Sequence, residues 1–150
     1  MAVASMNTIE QQITIQGSRS MVWKALTTPS ELGAWFRCTL SAQEFRVGQT
    51  VNGASTYPGY EGKKFELEIT EMVPEQRFTW RWRPGAAAAS DPPTTVTFTL
   101  KEVDGGTQVT VVESGFEQLS LERRAKAFEG NTQGWKIQMQ NIHDYVEQSK

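Results

Sequence analysis

The chain has 150 residues, 38% of them hydrophobic and 21% charged, which suits one domain with a real core and excludes two comfortable ones. Its 15 Lys+Arg against 17 Asp+Glu give a net charge of −2 without a basic block, which argues against a nucleic-acid partner, whose phosphates demand a positive footprint. One cysteine, Cys38, excludes an internal disulfide, and one histidine, His143, excludes a histidine-rich metal site.

Met1 to Asn7 lacks the basic start and long apolar core of a secretory signal. No apolar run approaches the ~20 residues that span a bilayer. A reduced, cytoplasmic, soluble protein is the expectation. Five tryptophans, seven phenylalanines and three tyrosines form an aromatic set that either fills a core or lines a pocket for an apolar ligand.

In chain order, Thr8 to Gln16 predicts the first strand, with Ile9, Gln11, Ile13 and Ile15 on one face. Gly17 ends it. Ser18 is placed to cap a short helix carrying Met21, Val22, Ala25 and Leu26. Thr28-Pro29-Ser30-Glu31 starts a second, with Thr28 as cap, Pro29 in the first turn and Glu31 where a capping box puts its acid. This helix ends around Trp35-Phe36. Arg46 to Gln49 then predicts a turn between strands near Ser41–Phe45 and Thr50–Ser55, and Tyr57 to Gly62 a Pro/Gly loop flanked by aromatics.

Beyond that loop the two-residue period is clear. Phe65, Leu67 and Ile69 alternate with polar residues, as do Phe78, Trp80 and Trp82, and then Val96, Phe98 and Leu100. Pro84 to Pro93 predicts a surface connection. Asp104-Gly105-Gly106-Thr107 predicts a tight hairpin, since glycine supplies positive φ without a Cβ clash. Short connections make the strands antiparallel. Glu117 to Glu129 predicts a helix, which Gly130-Asn131 interrupts or kinks. In the last segment Trp135, Met139, Ile142 and Val146 recur at helical spacing, and the same stripe traced backwards meets Phe128 and Leu121. Such a face needs a sheet to lie on.

The opening strand, Ser20 to Leu32 and Trp35-Phe36 resemble the start of the START-like, or SRPBCC, superfamily. Gly105 to Thr110, Ser114-Gly115-Phe116 and Gly134-Trp135 make the chain most similar to the branch related to the C-terminal domain of the heat-shock-protein-90 ATPase activator. The resemblance spans about Ile9 to Val146. It implies an α+β helix-grip fold: a curved antiparallel sheet of six or seven strands wrapped around a long C-terminal helix, with two short helices after strand one. The whole chain, 1–150, is then one domain with a core of about 8–147. The resemblance also implies a cavity between sheet and helix, often holding a lipid-like or aromatic molecule, but no single chemistry.

The candidate ligand-binding residues follow from the aromatic rows and this expected cavity. Phe65, Phe78, Trp80, Trp82, Phe98, Trp135 and Met139 belong to the inward faces. Trp35 and Phe36 end a short helix, and Tyr57 and Tyr60 flank a loop, so all four are placed either at the cavity mouth or at the core edge. Glu113 shares the parity of Val109 and Val111, and Glu71 that of Phe65 and Ile69; each points inward if its strand runs on, and to solvent if a bulge or an early end intervenes. Solvent is the favoured side. Arg37 and Arg46 suit either an anionic head group or the surface. His143 lies off the apolar stripe and is expected at the surface, and Cys38 as a buried structural thiol. No catalytic constellation stands out, and neither a cofactor nor a metal is implied.

The leading expectation is binding of a small hydrophobic or aromatic molecule between sheet and C-terminal helix. The alternative is a protein-interaction module resembling the co-chaperone, with a chaperone partner and a stress role; nothing but a few residues precedes the first strand, where that activator carries a separate N-terminal domain. The third is a cyclase-type enzyme with Glu71 or Glu113 as acid or base. The ligand's identity and the oligomeric state are not written in the sequence.

Overall fold

The computed structural model describes residues 7–83 and 91–149. The connection expected over Pro84 to Pro93 therefore lies, as far as Ser90, outside the described residues. The seven strands are β1 (Thr8–Ile15), β2 (Cys38–Leu40), β3 (Thr50–Ser55), β4 (Lys64–Val73), β5 (Arg77–Trp82), β6 (Thr94–Val103) and β7 (Gly106–Ser114). The helices are α1 (Arg19–Thr27), α2 (Pro29–Phe36) and α3 (Leu121–Gln148). The strands form one curved antiparallel sheet in the order β1-β7-β6-β5-β4-β3-β2. From β2 to β7 it is a meander. The helix pair α1–α2 carries the chain from β1 at one edge to β2 at the other.

The local chemistry explains most boundaries. Ser18 Oγ accepts the backbone N–H of Met21 at 3.1 Å and starts α1. Thr28 holds the cap position of α2 but makes no side-chain cap bond. Glu31 is diverted: its carboxylate accepts the Tyr145 hydroxyl at 3.1 Å and pairs with Lys24 at 3.7 Å, so the expected capping box is absent. Arg37 closes α2 in the left-handed region (φ 66°) and turns the chain straight into β2.

That turn moves the second strand earlier than the sequence predicts. Cys38 to Leu40 pair with Gly53 to Ser55, while Ser41 to Phe45 form bends that lead Phe45 into the core. The Asp104-Gly105 hairpin joins β6 to β7 as expected, with Gly105 at φ 84°. The C-terminal region also differs from expectation. A short 3-10 turn occupies Phe116–Gln118, and α3 starts only at Leu121, which is 77% exposed. From there the helix runs unbroken through Gly130-Asn131. The sheet explains it: packing of one long face outweighs two weak helix formers at about 1 kcal/mol each or less.

The core lies between the sheet and α3. Trp135, Met139, Ile142 and Val146 are all 3% exposed or less, each contributing about 1.5–3 kcal/mol of apolar burial. They meet Phe78, Trp80, Phe98, Val109 and Val111 from the inner strand faces. Cys38 is buried in this region, and burial pushes its thiol up to about 12. It is an inert core thiol at neutral pH.

Candidate functional site

At one end of the grip, between α3 and the loop that joins β3 to β4, the core opens into a groove of about 570 Å³. Phe36, Phe65 and Trp82 line its apolar side; their ring centroids lie 6.0–6.5 Å apart. Tyr57 and Tyr60, at 6.2 Å from each other, stand on the loop side. Gly130, Gly134 and Ile137 line it from α3. A narrower recess of about 100 Å³ reaches inward between Phe36, Trp82 and Trp135.

Of the twelve residues singled out from the sequence, Phe36, Tyr57, Tyr60, Phe65 and Trp82 line the groove and Trp135 lines the recess. Trp35, Phe78, Trp80, Phe98 and Met139 lie behind them in the packed core. Trp35 donates its indole N–H to the Ala25 carbonyl at 2.9 Å and so ties α2 to α1. Trp80 and Trp135 both face away from bulk solvent, with centroids 6.4 Å apart. Trp80 Nε1 has no hydrogen-bond partner among the described residues. The rings of Phe36, Phe78, Trp82, Phe98 and Trp135 surround it. Such a buried orphan costs about 1–3 kcal/mol.

Glu113, the twelfth, is the main correction to the expectation of solvent. β7 continues with unbroken parity to its position, and the side chain is fully buried. Four side-chain donors converge on it. Trp82 Nε1 and Thr94 Oγ1 reach one oxygen at 2.8 and 2.5 Å. Asn131 Nδ2 and Trp135 Nε1 reach the other, both at 2.8 Å. These donors come from β5, β6 and α3, so one carboxylate fastens the helix to three strands. The arrangement also aims the groove floor: Trp82 and Asn131 bond Glu113 behind the groove and line it in front.

Glu71 follows the other course. A bulge between Ile69 and Glu71 shifts the register and places Glu71 with Arg77 and Thr79 on the face opposite Phe78 and Trp80. Arg77 binds it through two nitrogens at 2.8 and 2.9 Å. That hydrogen bond, against some desolvation and with help from Thr79, holds the Glu71 carboxyl below the usual range. His143 is partly buried on α3 and contacts Asp144 at 2.9 Å and Glu147 at 2.8 Å, away from the groove. Arg46 pairs with exposed Glu44. Arg37 sits over the Tyr57 ring at 5.7 Å from its centroid, a favourable cation–π distance.

Sequence reasoning missed the helix side of the groove. Gly130 and Gly134 are four apart on one face, and a Cβ built on either meets nothing within 4 Å. Ile137, off the buried stripe, is 44% exposed. An apolar residue and two glycines on the polar face of an amphipathic helix were the available signal. Lys63, Lys64, Arg83 and Lys126 also line the groove. Among the described residues no cluster of His, Cys, Asp or Glu is placed to hold a metal ion, and no helix is long and apolar enough to cross a membrane.

The fold has known counterparts. The chain is similar to protein MLL2253 from Mesorhizobium loti (21% identity, TM-score 0.77, covering 95% of this chain and 98% of that one). It is also similar to the Aha1 dimer from Colwellia psychrerythraea (21% identity, TM-score 0.73, 93% and 96%). A third similar structure is DynU16, a putative protein in the dynemicin biosynthetic locus (22% identity, TM-score 0.75, 96% and 48%). At these identities the likeness is one of fold. No curated protein matches the chain. The family model described as activator of Hsp90 ATPase homolog 1-like protein matches residues 16–147. With its START-like helix-grip architecture and a match over nearly its whole length, the chain belongs to the activator of Hsp90 ATPase homolog 1-like family.

Proposed function

We propose that the chain binds a small apolar or aromatic molecule in the groove between α3 and the β3–β4 loop. The observation that carries this is the pair Gly130 and Gly134. Each weakens the helix by about 0.8–1 kcal/mol relative to alanine, and neither is required by close packing, because nothing occupies the space beside it. What their missing side chains provide is groove volume opposite Phe36, Phe65 and Trp82. A volume of about 570 Å³ falls within the range of small-molecule sites. Burial of ligand surface would supply the affinity, and the indole and amide groups fixed by Glu113 would hold the floor in one shape.

Two substitutions separate this role from a structural one. Gly130→Ala should raise stability by about 0.5–1 kcal/mol. Gly134→Leu should keep or raise stability while filling the groove and weakening binding of 2-naphthalenemethanol at least tenfold, about 1.4 kcal/mol. Denaturant titration and isothermal calorimetry read the two effects. Unchanged binding in Gly134→Leu would refute the assignment.

The family description supports a second reading, a co-chaperone-like module that docks on a chaperone ATPase. Of the four exposed large apolar residues among the described ones, Tyr60 and Ile137 line the groove, so a protein partner's apolar side chain would compete for the same place. Stimulation of a chaperone ATPase by the purified chain, abolished by Gly134→Leu, is the result that would favour it.

A further inference from the structure

We infer that the ligand of this groove is an amphiphilic anion: an apolar, preferably flat, body with one carboxylate or similar acidic group at its outer end. This rests on the proposed binding role and adds the ligand's charge. Of the 15 basic residues in a chain of net charge −2, Lys63, Lys64, Arg83 and Lys126 line this one groove, and none of the 17 acidic residues does. Their sequence neighbours Glu61, Glu66 and Glu129 are absent from the lining. Glu61 instead accepts the Gly59 backbone N–H of its own loop at 3.0 Å.

The four cations are also available. Among the described residues Lys63, Lys64 and Lys126 take part in no salt bridge. Arg83 donates Nε to the Asp91 carbonyl at 2.7 Å, which steadies the guanidinium without neutralising it. The apolar and charged parts of the groove are separated. Phe36, Phe65 and Trp82 make the floor, and the lysines are exposed. An anionic group left at this mouth keeps most of its water and avoids the cost of burying a charge. The ring or chain below it supplies the buried area. Several like charges around one concave site also raise the local concentration of anions and their association rate.

The test compares three probes of one shape on the intact chain: 2-naphthoate, 2-naphthalenemethanol and 2-naphthylmethylamine, titrated by calorimetry at about 20 mM salt and again at about 300 mM. The expected order is anion, alcohol, amine, with the anion about three- to tenfold tighter than the alcohol, as a few screened pairs of modest strength provide. High salt, and the Lys63→Gln/Lys64→Gln/Lys126→Gln variant, should each erase that advantage and bring naphthoate to the affinity of the alcohol. The salt series on the wild-type chain decides the matter even if the triple variant misfolds. An alcohol that binds as tightly as naphthoate at low salt would overturn the charge assignment and leave the groove as the site. No binding by any of the three would overturn both.

Discussion

Replacing Glu113 by alanine should cost about 4 kcal/mol of stability, a large share of the ~5–15 kcal/mol that a domain has. The substitution takes their acceptor from two indole N–H groups, a threonine hydroxyl and an amide N–H₂, of which, among the described residues, the Thr94 hydroxyl alone has a second acceptor, the Trp82 carbonyl at 3.3 Å. Each buried donor so orphaned costs on the order of 1–3 kcal/mol, less whatever relaxation and entering water recover. The four costs do not simply add, because the donors share one cavity. Glu113→Gln is the sharper test. It preserves volume but presents an N–H₂ to at least one donor pair, so about 2–3 kcal/mol should be lost. Guanidinium titration with an unchanged slope and a lowered midpoint is the expected result. A change below about 1 kcal/mol in both variants would show that the carboxylate does not fasten α3 to the sheet.

Phe36→Ala should lower stability by about 2–3 kcal/mol and give part of it back when an aromatic probe is added. Phe36 contacts the rings of Trp35, Phe65, Trp80, Trp82 and Trp135. Truncating a fully buried phenylalanine costs ~3–5 kcal/mol; Phe36 is half-buried, hence the lower figure. Its ring also separates the groove and its recess from an internal void beside Cys38 and Trp80 that is too small to hold water. Removing it joins these spaces. 2-Naphthalenemethanol at about ten times its Kd should then restore about 1.4 kcal/mol, and its Kd should be lower for the variant than for the wild type. Loss of stability without tighter binding would mean that Phe36 is core and not groove wall.

The architecture was legible because its signals are local and repeated. The two-residue period of Phe78, Trp80 and Trp82, the Asp104-Gly105 turn and the stripe from Trp135 to Val146 each carry their structure within a few residues. The boundaries that moved depend on distant partners. Ser41 to Phe45 has the composition of a strand, but Arg37 starts β2 earlier. Gly130-Asn131 has the composition of a break, but the sheet supports one continuous helix.

The site was less legible for the same reason. Parity brought Glu113 to the inner face, yet its four donors lie 18 to 31 residues away, and no single-strand pattern announces them. The aromatic rows were visible, but not which rings would be core and which would line the groove. That depends on where α3 stops covering the sheet. Nothing in the sequence connects Lys63 and Lys64 with Lys126; the fold puts them around one opening.

Occupancy of the groove is the most direct test of the proposed function. The freshly purified chain would be weighed by native mass spectrometry and then extracted with organic solvent, alongside Gly134→Leu. The expected result is a stoichiometric hydrophobic adduct on the wild-type chain, reduced or absent on the variant, with both proteins folded. A clean apo mass on the wild type, with neither neutral nor anionic naphthalene probes raising its melting temperature, would contradict a ligand-binding groove and direct attention to a protein partner.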